Sequence, residues 1–205
     1  LNNNQYTGQH VFYSLTEPES SPLARPVLTM PPGNNWAGNH TGISIAYSTN
    51  TADDDVSIAE PRFYGTIYFT QSYAPGTLFK QITTDENGNS LIEFKDKDGR
   101  VILKKAQVAD NPNTYEGWLN TYFVYDRYGN LIYVIQPKGI KLTIDNNWET
   151  TTAIVDEQAY QYEYDEKNRM ISKKLPGAVV VNMVYDPWNR LVLTQDGNQR
   201  LNRRW

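Results

Sequence analysis

His10 and His40 are the whole supply of imidazole in this chain, and cysteine is absent. A histidine general base needs a group that orients it, and a zinc centre needs several nitrogen or sulfur ligands. Two isolated histidines in loop-like surroundings supply neither, so surface or capping roles are expected of both. Carboxylates are the next reactive groups. A glycosidase uses two of them at a set separation in space, which no sequence spacing excludes, and Asp85, Asp96, Asp126, Asp165 and Asp186 recur in similar contexts. Each stands three residues before a Gly or Asn. An aspartate there accepts the backbone N–H groups of a tight turn, a structural task sufficient to account for it. Asp53-Asp54-Asp55 and Asp85-Glu86-Asn87-Gly88-Asn89 suggest calcium, but neither has the alternating oxygen ligands and Gly of a calcium loop. The expectation is therefore no catalytic residue, no cofactor and no metal ligand. One binding chemistry stays open. Trp36, Trp118, Trp148, Trp188 and Trp205, with fifteen tyrosines, would bind carbohydrate if several flat faces stood exposed side by side. Packing across neighbouring strands is the competing use of such rings.

The elements that must hold these residues are β-strands. Tyr160-Gln161-Tyr162-Glu163-Tyr164 sets three rings on one face at period two. Thr121–Tyr125, Leu131–Ile135, Val179–Tyr185 and Leu191–Thr194 are β-branched or aromatic runs of strand length, and most stop at Asp, Asn or Gly. Strands are also expected around Ile43–Tyr47 and Phe63–Phe69, with loops at Pro31–Asn35 and Asp53–Asp55. Threonines before Ile154, Val155 and Gln158 allow one short helix near 151–158. The fold class expected is all-β, an antiparallel sheet of successive hairpins. Residues 1–80 form a looser N-terminal β region and residues 81–205 the hairpins, the two parts continuous.

Bulk properties exclude two kinds of partner. Nineteen basic and 23 acidic residues are interspersed, for a net charge of −4, so no basic stripe exists to track a phosphate backbone. No apolar run approaches the roughly 20 residues of a membrane span. The 205 residues suffice for a real core. A start at Leu1 and a stop at Trp205 suggest a piece of a longer polypeptide.

An internal repeat is the strongest signal. Tyr125-Asp126-Arg127-Tyr128-Gly129-Asn130-Leu131, Tyr164-Asp165-Glu166-Lys167-Asn168-Arg169-Met170 and Tyr185-Asp186-Pro187-Trp188-Asn189-Arg190-Leu191 superpose without gaps as Y-D-x-x-[GN]-[NR]-[LM]. Weaker copies lie at Lys95–Val101, with Asp96 and Gly99, at Thr84–Asn89, and in worn form at Ser21–Val27. Tyr closes an incoming strand, Asp holds the turn, Gly or Asn takes the left-handed conformation, and Leu or Met opens the outgoing strand. The fifth position predicts positive φ at Gly129, Asn168 and Asn189.

With these residues the chain resembles the Rhs or YD-repeat proteins, over roughly residues 20–205. Pro22–Pro26, Ala74–Leu78, Phe94–Arg100 and Tyr185–Arg200 are similar to versions in large secreted Bacteroidetes proteins. The resemblance implies a secreted or cell-surface localisation and β-hairpin strips that coil into a hollow shell, which in many members encloses a C-terminal toxin. Partners implied are neighbouring repeats and a C-terminal effector of the same polypeptide. Ser21 and Ala24 depart from the usual Asp and Gly, so the first repeat is expected to be distorted. The self-cleaving core segment of the family has no counterpart here, so no catalytic residue is carried over. An open sheet edge is expected to self-associate weakly.

Overall fold

Apolar–polar alternation yields fourteen strands in residues 7–62 and 65–202, which the computed structural model describes. They are β1 (Leu15–Pro18), β2 (Pro26–Met30), β3 (Ile43–Thr49), β4 (Ser57–Arg62), β5 (Thr66–Ser72), β6 (Phe79–Thr84) and β7 (Ser90–Lys95). The series continues with β8 (Val101–Gln107), β9 (Trp118–Tyr125), β10 (Leu131–Ile135), β11 (Ala159–Tyr164), β12 (Met170–Lys174), β13 (Val181–Tyr185) and β14 (Leu191–Gln195). Twelve form one antiparallel sheet in the order β1-β2-β3-β6-β7-β8-β9-β10-β11-β12-β13-β14, while β4 and β5 pair with each other. The protein is all-β, with short helices only.

Chain order and sheet order coincide apart from the β4–β5 excursion, so successive connections alternate between two rims. One rim carries the β7–β8, β9–β10, β11–β12 and β13–β14 turns, at residues 96–100, 126–130, 165–169 and 186–190. The other carries the 85–89 turn, the 108–117 loop, the 136–158 insertion and the 175–180 turn. The three full copies of the motif and the Lys95–Val101 copy thus share one rim, while the Thr84–Asn89 copy lies on the other.

The β4–β5 hairpin lies across one face of the central strands and is tied there at both ends. Ser57 N donates to the Tyr122 hydroxyl at 3.1 Å, and the Thr150 hydroxyl donates to the Ile67 carbonyl at 2.8 Å. Val56, Ile67, Phe69 and Leu78 then meet Ile92, Phe94, Leu103, Tyr122, Val124 and Ile135 in a single buried cluster. Helices α1 (Pro137–Asp145) and α2 (Thr152–Gln158) close it with Ile140 and Val155. Away from that cover the sheet is open, and β14 is exposed along most of its length.

Two additional helices, with physical causes, are the main differences from the sequence reading. One helix was expected near 151–158, and α2 is there with Thr151 Oγ1 accepting from Ile154 N. A second, α1, occupies a segment to which the sequence reading assigned no element. Pro137 stands at the first helical turn, where a missing N–H costs nothing. Gly139 lets α1 approach closely enough that a Cβ there would lie 2.8 Å from Gln158 Cβ. A third helix, α3 (Gly197–Leu201), is opened by a capping box of Asp196 and Gln199. The strand expected from Val179 begins at Val181, and β5 starts at Thr66. Phe63 and Trp205 lie outside the described residues.

Candidate functional site: a ladder of Tyr-Asp turns on one rim

Each turn of the motif is closed by a single aspartate. Asp126 Oδ1 accepts from the backbone N–H of Tyr128 and of Asn130, both at 2.8 Å, and Oδ2 accepts from the Asn130 side-chain amide at 2.9 Å. Asp165 repeats this with Lys167, Arg169 and the Arg169 Nε at 2.7 Å. Asp186 does so with Trp188, Arg190 and the Arg190 Nε at 2.6 Å. Asp96 makes the same set with Asp98 and Arg100, as does Asp85 with Asn87 and Asn89 on the opposite rim. The fifth position is left-handed throughout, with φ of 87° at Gly129, 79° at Gly99, 56° at Asn168 and 65° at Asn189. Arg or Asn at the sixth position has a role that sequence reasoning missed. Both side chains aim an N–H at the second carboxylate oxygen, and their restriction to these two residue types was the available signal.

The worn first copy keeps part of this geometry. Ala24 is left-handed with φ of 47°, and Leu23 N donates to Ser21 Oγ at 3.2 Å. The hairpin closes two residues further out, through Glu19 N to the Arg25 carbonyl, and Glu19 takes over the arginine, with Nε at 2.8 Å. Its carboxyl is lowered to about 2, first by that arginine and then by Ser21.

Successive turns are joined by the tyrosine. Tyr125 Oη donates to the Val101 carbonyl at 3.1 Å, Tyr164 Oη to Leu131 at 3.0 Å and Tyr185 Oη to Met170 at 2.9 Å. Val101, Leu131 and Met170 are the seventh motif position of the preceding repeat on that rim. A β-bulge lies in the hairpin pairing beside each of these carbonyls. Bulges leave ladder groups unpaired, and the neighbour's hydroxyl supplies a donor there. The three tyrosines therefore occupy equivalent places. Around each joint the sixth residue reaches forward. The Arg100 guanidinium lies 5.2 Å from the Tyr125 ring centre and that of Arg169 4.9 Å from Tyr185. Asn130 donates to Asn168 Oδ1 at 3.0 Å, and Arg169 to Asn189 Oδ1 at 2.9 Å. Lys95 replaces tyrosine where β6, with no such turn before it, is the neighbour, and its ammonium meets Gln81 and Glu93 instead.

Electrostatically the turns of both rims are alike. All five turn carboxylates sit below the usual range. At Asp165 the Arg169 side chain is the main cause, and at Asp186 the Arg190 backbone N–H. At Asp96 and Asp126 burial, the largest influence, pushes upward but is outweighed by hydrogen bonds from the sixth residue and the turn N–H groups. Each of these carboxylates is held ionised by at least three donors and is committed to closing its turn. A cleft of about 120 Å³ beside Asp96, Arg100, Tyr73 and Tyr125 falls below the ~300 Å³ at which ligand pockets begin.

Among the described residues no cluster of three or more His, Asp or Glu side chains is placed to hold a metal ion. Asp54 accepts from Thr51 N and is paired with Lys80 at 2.6 Å, and His40 lies 3.5 Å from Glu17. The tryptophans are dispersed in role. Trp148 packs on Phe69 and Tyr115, Trp118 donates to the Asn113 carbonyl, Trp36 precedes a short 3₁₀ turn, and Trp188 stands 74% exposed on the turn rim.

One buried polar group has no place in the ladder. Lys105 is 4% exposed, and its ammonium donates to the Thr114 carbonyl while lying 5.1 Å from the Tyr115 ring and 5.4 Å from Trp118. Burial lowers its pKa to about 8, with Asp54 opposing. Across the strand pair stands Asn120, whose Oδ1 meets no donor among the described residues. Next to it the Tyr115 and Tyr122 hydroxyls share a 2.8 Å bond, and burial pushes both phenols upward. Enclosed in this way, the amine pins the 108–117 loop to the sheet.

No protein-family model matches the chain, and no curated protein does. Solved structures do superpose on it. A crystal structure of TcdB2-TccC3-TEV aligns at 15% identity and a TM-score of 0.45, over 90% of this chain and 9% of that one. A Photorhabdus luminescens Tc holotoxin pore with a TccC3 variant aligns at 12% identity and a TM-score of 0.45, over 86% of this chain and 11% of that one. This chain thus spans about a tenth of the chains it superposes on.

Proposed function

We propose that this chain is a non-catalytic wall segment of a secreted or cell-surface protein of the Rhs/YD-repeat kind, part of a β-shell that encloses or displays a C-terminal toxin or effector. The observation that carries the reading is the ladder. The turns at 96–100, 126–130 and 165–169 are each completed by a tyrosine hydroxyl from the next turn, so the motif builds a sheet that grows by addition of like hairpins, as repeat proteins do. The motif carboxylates are consumed in turn closure, which leaves the rim a scaffold. Its partners on this reading are neighbouring repeats and the enclosed effector. The test is cryo-electron microscopy of the full product of the encoding gene, combined with limited proteolysis. A hollow β-wall with a protease-protected segment inside supports the proposal. A particle with no cavity refutes it.

A second reading has one observation in its favour. Tyr128 and Trp188 occupy the same motif position on the same rim and are both strongly exposed, an arrangement suited to stacking on sugar rings. Glycan-array binding that is lost in a Tyr128→Ala, Trp188→Ala double variant would establish it.

A further inference from the structure

We propose that Lys105 and Asn120 are the two halves of an intramolecular amide cross-link, which the folded chain forms slowly once the lysine is neutral. The two residues stand directly opposite each other on β8 and β9, where facing Cβ atoms lie ~4.5–5.5 Å apart. Both are almost wholly enclosed, at 4% and 5% exposure. The 108–117 loop brings their far ends together. Its successive carbonyls at Asn113, Thr114 and Tyr115 accept from Trp118 Nε1, Lys105 Nζ and Asn120 Nδ2, so the amine and the amide sit on adjoining peptide groups. A second bond from Nδ2, to the Trp118 carbonyl at 3.3 Å, fixes the amide. The rings of Tyr115 and Trp118 close the space around the amine, which keeps out water, the competing nucleophile.

The reaction needs no outside reagent. Neutral Lys105 Nζ adds to Asn120 Cγ, and the π electron pair of the carbonyl moves onto Oδ1. A proton then passes from Nζ to Nδ2, the Cγ–Nδ2 bond breaks as the carbonyl re-forms, and one ammonia leaves. An amine and a primary amide thus become a secondary amide and ammonia, with no change in oxidation state. Burial supplies the neutral amine, since it lowers the lysine to about 8. The charged groups facing it are Asp54, Asp55 and Lys80, and the hydrogen-bonded phenols of Tyr115 and Tyr122 adjoin the site. Asn120 Oδ1 meets no donor among the described residues, so the oxyanion of the addition step is unsupported, a deficit of about 100-fold to 1000-fold in rate. The bond therefore forms over days, and freshly prepared chain keeps a free amine. Its product is a staple between β8 and β9 that encloses the 108–117 loop. The chain has no cysteine, and an amide holds under reducing and oxidising conditions alike. Nothing in this chemistry depends on the shell-wall reading.

The test is to incubate the folded 205-residue chain over a range of pH and follow its intact mass. A species lighter by one ammonia is expected, at a rate that rises about tenfold per pH unit up to about pH 8 and then levels. Trypsin should no longer cut after Lys105, giving a 105–127 peptide lighter by one ammonia and without fragment ions from inside the 105–120 ring. Guanidinium-unfolded chain and the Lys105→Met variant should keep their mass. An unchanged mass in the folded wild type overturns the proposal. So does an ammonia loss that persists in Lys105→Met or maps to Asn87-Gly88, where an asparagine closes on its own backbone. A rate that keeps climbing with hydroxide, with no levelling, overturns it as well.

Discussion

Replacing Lys105 by Met should stabilise the protein at neutral pH, by an amount that shrinks as the pH rises. The free side chain has a pKa of 10.5, and burial brings it to about 8 in the fold. At ~1.4 kcal/mol per pH unit, holding the ammonium inside costs about 3 kcal/mol below pH 8. The contacts with Tyr115 and Trp118 return roughly 0.5–2 kcal/mol of this, so the net gain for Met is about 1–2 kcal/mol, or ~3–6 °C in Tm for a chain of this size. Because the folded pKa lies below the unfolded one, the unfolded chain binds more protons between pH 8 and 10.5. Wild-type stability therefore climbs through that window, and the climb is absent in the variant. The phenols of Tyr115 and Tyr122, raised by burial, act in the opposite sense above pH 10 in both proteins. The charged groups facing the amine are Asp54, Asp55 and Lys80. Urea denaturation followed by tryptophan fluorescence at pH 7, 8, 9 and 10 reads both quantities. A variant destabilised at pH 7, with a pH slope equal to the wild type, would refute the argument that the buried charge is a net cost.

Outcomes are also expected for five further variants. Gly129→Val should lose about 1–2 kcal/mol by urea denaturation, because φ is 87° and the new Cβ would meet the Arg100 guanidinium at 3.2 Å. Tyr122→Phe removes the acceptor of the buried Ser57 N–H and should cost about 1–3 kcal/mol, whereas Tyr164→Phe, losing one bond to the Leu131 carbonyl, should cost ~0.5–1.5 kcal/mol. Asp96→Ala strips two turn N–H groups and Arg100 of their acceptor, and circular dichroism melts should show a loss near 1–3 kcal/mol. Since the folded pKa values of the turn carboxylates are lowered, their contribution is present above the ordinary carboxylate pKa and fades as pH falls below about 4; acid titration of an Asp126→Asn variant should show a shallower decline there.

The Tyr-Asp turns were legible in the sequence because every bond that makes them spans at most four residues. Asp126 reaches Tyr128 and Asn130, and left-handed φ at the fifth position follows from the absence of a Cβ or the tolerance of Asn. Strand pairing of consecutive hairpins followed from the same local signals. The ladder was not legible, since the Tyr164 hydroxyl meets a carbonyl 33 residues away and only the shared rim brings them together. Position 129 shows the division plainly: its turn conformation is local, while the Arg100 guanidinium that a Cβ there would meet comes from the neighbouring hairpin. Nor could alternation say that Ile140-Lys141-Leu142-Thr143-Ile144 is a helix, because close packing of Gly139 against Gln158 decides it. The core was likewise a tertiary outcome. Thr150 and Ile67 are joined across 83 residues, and without that fold-over of β4–β5 nothing in the Lys105 neighbourhood announces burial. Local chemistry determined the repeat; long-range pairing in the sheet determined which repeats touch and what is buried between them.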